Sequence, residues 1–461
     1  MIMTGKELLL KAMRNEETPR PAWLPFVGCH GGFLLEKTAT EYLQSSELLV
    51  AGLRKARELY QPDGLPIAFD LQIEAEILGC DLHWGDEVPP AVISHPLTHC
   101  TTADLPELSK YKGRFPVILE AMRQLVPEMG EEVALYGLIC GPFTLALHLL
   151  GNDIFLKMFD DPSGVKELID YCAGVCIQSA SIYLENGAAV VAVVDPMTSQ
   201  ISPEHFAEFV APGLNKVFDA IRDKGGLSSL FVCGDANRNL EAMSHTHTDN
   251  LSVDEQIPMD RLRELCAPAG KSFGGNMKLT AVLLLGDEAD SAKEAVEIME
   301  QAGTSGFILA PGCDLPYATP VVNLQAVSAT VHDPYAREVA ETTTSTKEAD
   351  TYDDVEVPDY RAHKPVVIDV ITLDSTSCAP CQYMMDAVQR AANDAFVKTY
   401  VNEHKIKVRT GLGMMSKLGV KNLPTICIDG DVKFASIIPD HDTLVKAIED
   451  HAIAKNLLKR S

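Results

Sequence analysis

Gly306-Phe307-Ile308-Leu309-Ala310-Pro311-Gly312-Cys313-Asp314-Leu315-Pro316 is a short apolar run closed by Gly and Pro. Such a run reads as a buried strand that delivers a thiol and a carboxylate to the turn after it, the end at which barrel enzymes keep their chemistry. A second run, Ser229-Leu230-Phe231-Val232-Cys233-Gly234-Asp235, ends the same way. Two thiolates converging on one mouth suit zinc, a borderline-soft ion that deprotonates the thiols it binds.

Outward from these two runs, strand-like and helix-like segments alternate over residues 1–332. Strand candidates are 22–28, 65–70, 133–140, 188–195, 229–233, 251–254, 272–277 and 306–310, with amphipathic segments such as 46–60, 162–185, 203–224 and 291–302 between them. Eight strand–helix units favour a (β/α)8 TIM barrel over an open doubly wound sheet. In a barrel, the polar residues after each strand face one crevice. Here they are Cys29 and His30, Asp70, Asp195, Cys233 and Asp235, Asp254, Asn276, and Cys313 and Asp314. For any single carboxylate among them, a turn former or helix cap is the competing reading.

At 461 residues the chain exceeds one ordinary domain, and 46% hydrophobic with 23% charged residues describes a globular protein with ample core. No apolar run is long enough to span a bilayer, and the N-terminus lacks the layout of a signal peptide, so a cytoplasmic protein without a membrane partner is expected. Twelve cysteines spread over this length fit a reducing compartment. Residues 361–461 carry 14 Lys and Arg against 11 Asp and Glu, so of the formal net charge of −26 the first 360 residues carry −29. That shift marks a domain boundary, and an acidic surface repels nucleic acid.

The expected organisation is a barrel over 1–335, an acidic Thr-rich linker over 336–360 and a small α/β domain over 361–461. The polar run from Glu341 to Asp359 cannot bury a core, and as a coil it would span about 25 Å, enough for the last domain to reach the barrel mouth. In that domain a strand from Val366 precedes Cys378-Ala379-Pro380-Cys381 at a helix start, a second strand is expected at 406–409, and Leu423-Pro424-Thr425 enters a hairpin. A thiolate at a helix N-terminus is stabilised by free backbone N–H groups, so Cys378 suits a redox nucleophile and Cys381 its resolver. Half of a zinc knuckle is the alternative, without a second Cys-x-x-Cys to complete it. The pattern resembles the thioredoxin and glutaredoxin-like fold, and the resemblance implies a cis Pro424 lying against the cysteines.

The barrel segment resembles the uroporphyrinogen decarboxylase superfamily over nearly all of residues 1–332. The motifs that carry this are Asp63-Gly64-Leu65-Pro66 through Asp70 to Gly79, Gly141-Pro142-Phe143-Thr144, Asp195-Pro196, Ser202-Pro203-Glu204, Phe273-Gly274-Gly275-Asn276 and Gly312-Cys313-Asp314. Its true decarboxylases use an Arg-rich loop after the first strand to hold a polyanionic porphyrinogen, and Pro25 to Phe33 contains no Arg. The corrinoid-dependent methyltransferase branch is closer. In it a His-x-Cys ending strand five and a Cys ending strand eight bind zinc, which Cys233 and Cys313 match while Phe231 replaces the His. A third ligand would then come from His30, Cys29 or Asp195, and the alternative is a metal-free relative with two strand-end thiols.

The resemblance implies a methyltransferase that works with a corrinoid protein and a small thiol or methylated donor. Asp70 is expected in a catalytic role, His30, Asp195 and Asn276 as substrate-positioning mouth residues, Cys233 and Cys313 as metal ligands, and Pro424 beside a Cys378/Cys381 pair with a redox partner of its own. The alternatives are a thiol–disulfide oxidoreductase with a binding-only barrel, and a decarboxylase of a small acid. Cys172 and Cys176, four apart on a helix, read as packing, and His245 and His247 as a surface turn.

Overall fold

The structure, a computed structural model, describes residues 3–342, 351–362, 365–376 and 378–458. Eight parallel strands follow one another around a single sheet: β1 (Ala22–Trp23), β2 (Gly64–Pro66), β3 (Ala134–Cys140), β4 (Val190–Val194), β5 (Leu227–Val232), β6 (Asn250–Val253), β7 (Ser272–Met277) and β8 (Phe307–Pro311). β8 pairs with β1, so the order closes on itself except at the seam between β1 and β2. Asp63 spans that seam. Its amide donates to the Trp23 carbonyl at 2.8 Å, while its carboxylate accepts from the Trp23 amide at 2.8 Å.

The strand sequences are apolar almost throughout because both faces are buried. Tyr136, Leu138, Val190, Ala192, Val194, Phe231, Ile308 and Ala310 pack together inside the ring. Their neighbours Leu135, Ile139, Val191, Val193, Leu230, Val232, Phe307 and Leu309 pack outward beneath the helices. This period of two fixes which side chains reach the mouth. β1 is shorter than expected because Pro25 has no N–H to give the ladder, and the chain leaves the sheet soon after Leu24 bonds the Leu309 carbonyl at 3.0 Å.

The expected linker is partly structured. A helix covers Pro334–Thr342, and Val355 is buried against Ile371, Ile406 and Met414 of the C-terminal unit. Residues 343–350 lie outside the described ones. The C-terminal unit is a four-stranded sheet in the order β10-β9-β11-β12, from β9 (Val366–Thr372), β10 (Thr399–Lys405), β11 (Thr425–Ile428) and β12 (Asp431–Ala435). β9 and β10 are parallel; β11 is antiparallel to β9 and to β12. The strand expected at 406–409 is Thr399–Lys405 instead. An edge strand with a partly exposed, polar sequence has no apolar alternation to announce it.

Helix α1 (Pro142–Leu150) follows β3, and helix α2 (Ala379–Asp394) follows β9. α1 is buried on every face, which a helix on the outside of a barrel is not unless something covers it. The cover is α2. Tyr383, fully buried, places its hydroxyl 3.1 Å from His148 Nδ1, and Gln382 Nε2 donates to the Val92 carbonyl at 2.7 Å. Among the described residues, no helix is long and apolar enough to cross a membrane.

Candidate active site

Cys233 continues the inward alternation of β5, two positions beyond Phe231, and Cys313 follows the end of β8. Their Sγ atoms lie 2.7 Å apart. Below them is an aromatic floor. Phe231 stacks on Phe26 with centroids 4.8 Å apart, and both rings meet Phe69 edge-on, at 6.1 and 5.7 Å.

Carboxyl groups surround the sulfurs. Asp254 accepts from the Gly234 amide at 3.0 Å, and Asp314 accepts from the Gly28 amide at 2.9 Å. Burial pushes the Asp314 carboxyl well above the usual range and raises that of Asp254. Glu255, accepting from the Leu279 amide at 2.7 Å, is pushed up to about 8 by burial and by neighbouring Asp254. The hydrogen bond that Cys233 shares with Cys313, together with burial and these carboxylates, holds the Cys233 thiol well above its ordinary value.

The C-terminal unit roofs this mouth. A cavity of about 380 Å³ is lined from the barrel by Cys233, Cys313 and Glu255 and from the roof by Cys378, Cys381 and Pro424. Cys378 caps α2, its Sγ accepting from the Cys381 amide at 3.4 Å, and the two cysteines form a disulfide. The Leu423–Pro424 peptide bond is cis. Asn422 Nδ2 donates to Asp235 Oδ2 at 2.7 Å and an Arg238 guanidinium N–H to the Ser436 carbonyl at 3.1 Å, closing the contact on the other side of the cavity.

Of the other residues expected at the mouth, His30, Asp195 and Asn276 sit one layer back from the cavity lining. His30 Nδ1 lies 2.9 Å from the Tyr317 carbonyl and Nε2 2.7 Å from the Tyr60 hydroxyl, so both nitrogens are committed, and burial lowers its pKa to about 4. Asp195 accepts from the Thr144 amide and hydroxyl at 2.8 and 2.6 Å, capping α1; a Cβ on Gly141 would strike this carboxylate. Asn276 holds the β6 loop through the carbonyls of Asp254 and Ile257, at 2.9 and 2.6 Å. Asp70 lines the cavity, yet its carboxylate is bound by Arg114, which also bonds Glu76 at 2.9 Å and stacks on Trp84. Arg114 comes from a loop remote in sequence and carries no motif, so only the unmet need of a buried Asp70 for a cation could have pointed to it.

The uroporphyrinogen decarboxylase (URO-D) family profile matches residues 4–334. The chain belongs to the uroporphyrinogen decarboxylase family. Among its relatives in that family, the methylcobamide:CoM methyltransferase MtbA of Methanosarcina mazei is 31% identical over 331 residues, covering 70% of this chain and 96% of that one. MtbA of Methanosarcina acetivorans is 28% identical over the same shares. The uroporphyrinogen decarboxylase of Anaeromyxobacter dehalogenans is 26% identical over 306 residues, 63% of this chain and 86% of that one. A solved structure of a methyltransferase from Methanosarcina mazei superposes with a TM-score of 0.66 at 24% identity, covering 72% of this chain and all of that one, and shows the same fold.

The zinc expected for this family member does not fit its residues. Cys233 and Cys313 supply two donors, and Phe231 supplies none. His30 and Asp195 are bonded elsewhere, and although Cys29 lines the cavity, no group of three or more His, Cys, Asp or Glu that could hold a metal ion is found among the described residues. A catalytic zinc needs three protein ligands.

Proposed function

We propose that this chain is a corrinoid-dependent methyltransferase that moves a methyl group between a corrinoid protein and a small thiol or methylated donor, and that its C-terminal unit is a thioredoxin-like dithiol domain. The observation that carries the reading is the sulfur pair, 2.7 Å apart, in the mouth cavity of a uroporphyrinogen decarboxylase barrel whose relatives include methylcobamide:CoM methyltransferases. The methylated corrinoid would arrive on its own protein, to which the acidic first 360 residues offer a complementary surface for a basic patch.

The chain's own residues bind and orient the small substrate. The aromatic floor excludes water, which strengthens every polar contact above it. Glu255, whose raised pKa keeps a proton near neutrality, accepts the Leu279 amide at Oε2 and is left with Oε1 to protonate the heteroatom that a methylated donor releases. Cys233 and Cys313 contact the substrate sulfur or methyl group. No step passes through zinc. For the C-terminal unit, support comes from the strand, the Cys-x-x-Cys at the start of α2 and Pro424, which lines the same side of the cavity. A decarboxylase reading is weakened because Arg114 already occupies Asp70.

The test is anaerobic methyl transfer between methylcobalamin and a panel of thiols, and from methylamines and methoxy compounds to cob(I)alamin, followed by the cobalt spectrum. Turnover that falls at least 100-fold in Cys313→Ala supports the reading. Turnover with every acceptor and donor class absent from the wild-type chain removes it.

A further inference from the structure

Two cysteine pairs face each other across one cavity, one from each unit. The barrel pair, Cys233 and Cys313, holds its sulfurs 2.7 Å apart as free thiols, a short step from the roughly 2.05 Å of an S–S bond. The roof pair, Cys378 and Cys381, is a disulfide at the N-terminus of a 16-residue helix. The roof is fixed over the mouth by buried Tyr383 and by polar contacts from Gln382, Asn422 and Arg238. Sequence places the pairs on strands and a helix far apart in the chain, and the fold lines one cavity with both.

We propose that Cys233 and Cys313 form a redox-active pair and that the Cys378/Cys381 dithiol is its dedicated reductant within the same chain. This rests on the dithiol reading of the C-terminal unit and not on methyl transfer. The Cys378 thiolate attacks one sulfur of a Cys233–Cys313 disulfide; that S–S bond breaks, and its electron pair leaves on the other barrel sulfur, which takes a proton. Cys381, deprotonated, then attacks Cys378 Sγ in the mixed disulfide. The second barrel sulfur leaves and is protonated. Two electrons and two protons have passed from roof to barrel, with Cys378–Cys381 closed and Cys233 and Cys313 reduced. An external dithiol reopens the roof disulfide.

Several observations favour this over a metal pair. Among the described residues no group of three or more His, Cys, Asp or Glu converges to hold a metal ion, and Phe231 stands where a third ligand would be needed. The carboxyl-rich, buried surroundings keep Cys233 protonated, so the reduced pair rests as thiols. The cavity wall between the two pairs is largely apolar, with Leu373 and Leu423 on the roof side and Leu279 and Leu315 on the barrel side. Confinement in one chain also gives the attack an effective concentration on the order of millimolar or above.

The experiment uses the full-length chain, purified anaerobically, oxidised with diamide, returned to limiting dithiothreitol and mapped by differential alkylation and mass spectrometry. In Cys381→Ser, a mixed disulfide joining Cys378 to Cys233 or Cys313 is expected at a yield independent of protein concentration. In Cys378→Ser, whose side chain is only partly buried, reduction of the Cys233–Cys313 disulfide by dithiothreitol should slow at least tenfold relative to wild type. The relay is overturned by equal reduction rates in Cys378→Ser and wild type, by Cys378 pairing only with other cysteines or another copy, or by stoichiometric zinc protecting Cys233 and Cys313 from alkylation. Cycling of Cys378–Cys381 in the same maps reports separately on the dithiol reading, so a roof pair that cycles without touching the barrel pair defeats the relay alone.

Discussion

The ring of Phe231 lies on that of Phe26, centroids 4.8 Å apart and planes 24° from parallel, two residues before Cys233. An apolar ring therefore fills the place beneath the sulfur pair that a third metal ligand would need. Packing was chosen here over coordination, and the choice can be reversed.

Phe231→His should create a three-donor set with Cys233 and Cys313. Elemental analysis is expected to find stoichiometric zinc in this variant after anaerobic zinc loading, and none in Phe231→His/Cys313→Ala. The polar ring in an apolar floor should cost about 1–3 kcal/mol of stability without metal, most of it regained on loading. A variant that binds no zinc would mean that the pair is not oriented for coordination.

Tyr383 couples the two units through a side chain buried against α1. Tyr383→Phe should cost about 0.5–1.5 kcal/mol, the net worth of one hydrogen bond, and Tyr383→Ala about 3–5 kcal/mol as a large cavity opens. Amide exchange in Pro142–Leu150 and the alkylation rate of Cys313 should both rise in Tyr383→Ala. Unchanged exchange in α1 would show that the roof does not depend on this contact.

Arg114 and Asp70 form a buried ion pair. Removing one partner leaves a charge with no compensation, so Arg114→Met should lose about 3–5 kcal/mol in urea unfolding. Arg114→Met/Asp70→Asn should recover much of that. If Arg114→Met is as stable as wild type, the pair is not what holds the loop against the mouth.

Glu255 titrates from an ordinary value of 4.5 in the unfolded chain to about 8 in the folded one. Between those values the unfolded chain has lost the proton that the folded chain retains, so this group makes stability fall as pH rises from about 4.5 to about 8, after which its effect is level. Glu255→Gln should flatten that part of the stability profile. For methylated donors, it should also remove the alkaline limb of the rate profile near pH 8. A wild-type profile that keeps its slope in the Gln variant would assign the titration to another group.

The barrel was readable because its strands are buried on both faces, which writes long apolar runs with polar residues only at their ends. The same logic pointed to Cys233 and Cys313, whose positions after β5 and β8 follow from strand length and the period of two. His30, Asp195 and Asn276 stand at equivalent strand ends but turn to backbone partners, because each loop has amides or carbonyls that need them. The roles of Arg114 and Glu255 are not written locally, since Arg114 answers Asp70, 44 residues away, and Glu255 owes its raised pKa first to burial.

What the sequence determined by itself is local: strand and helix periods, a thiol at the end of each of two strands, a Cys-x-x-Cys at a helix start, and Phe in place of a ligand. What only the tertiary structure decided is juxtaposition: a sulfur pair at 2.7 Å, an ion pair around Asp70, and a roof that brings the second dithiol to the same cavity. The division has a physical cause, since periodicity is set by neighbours along the backbone, whereas burial, charge pairing and reach between thiols depend on how distant segments pack.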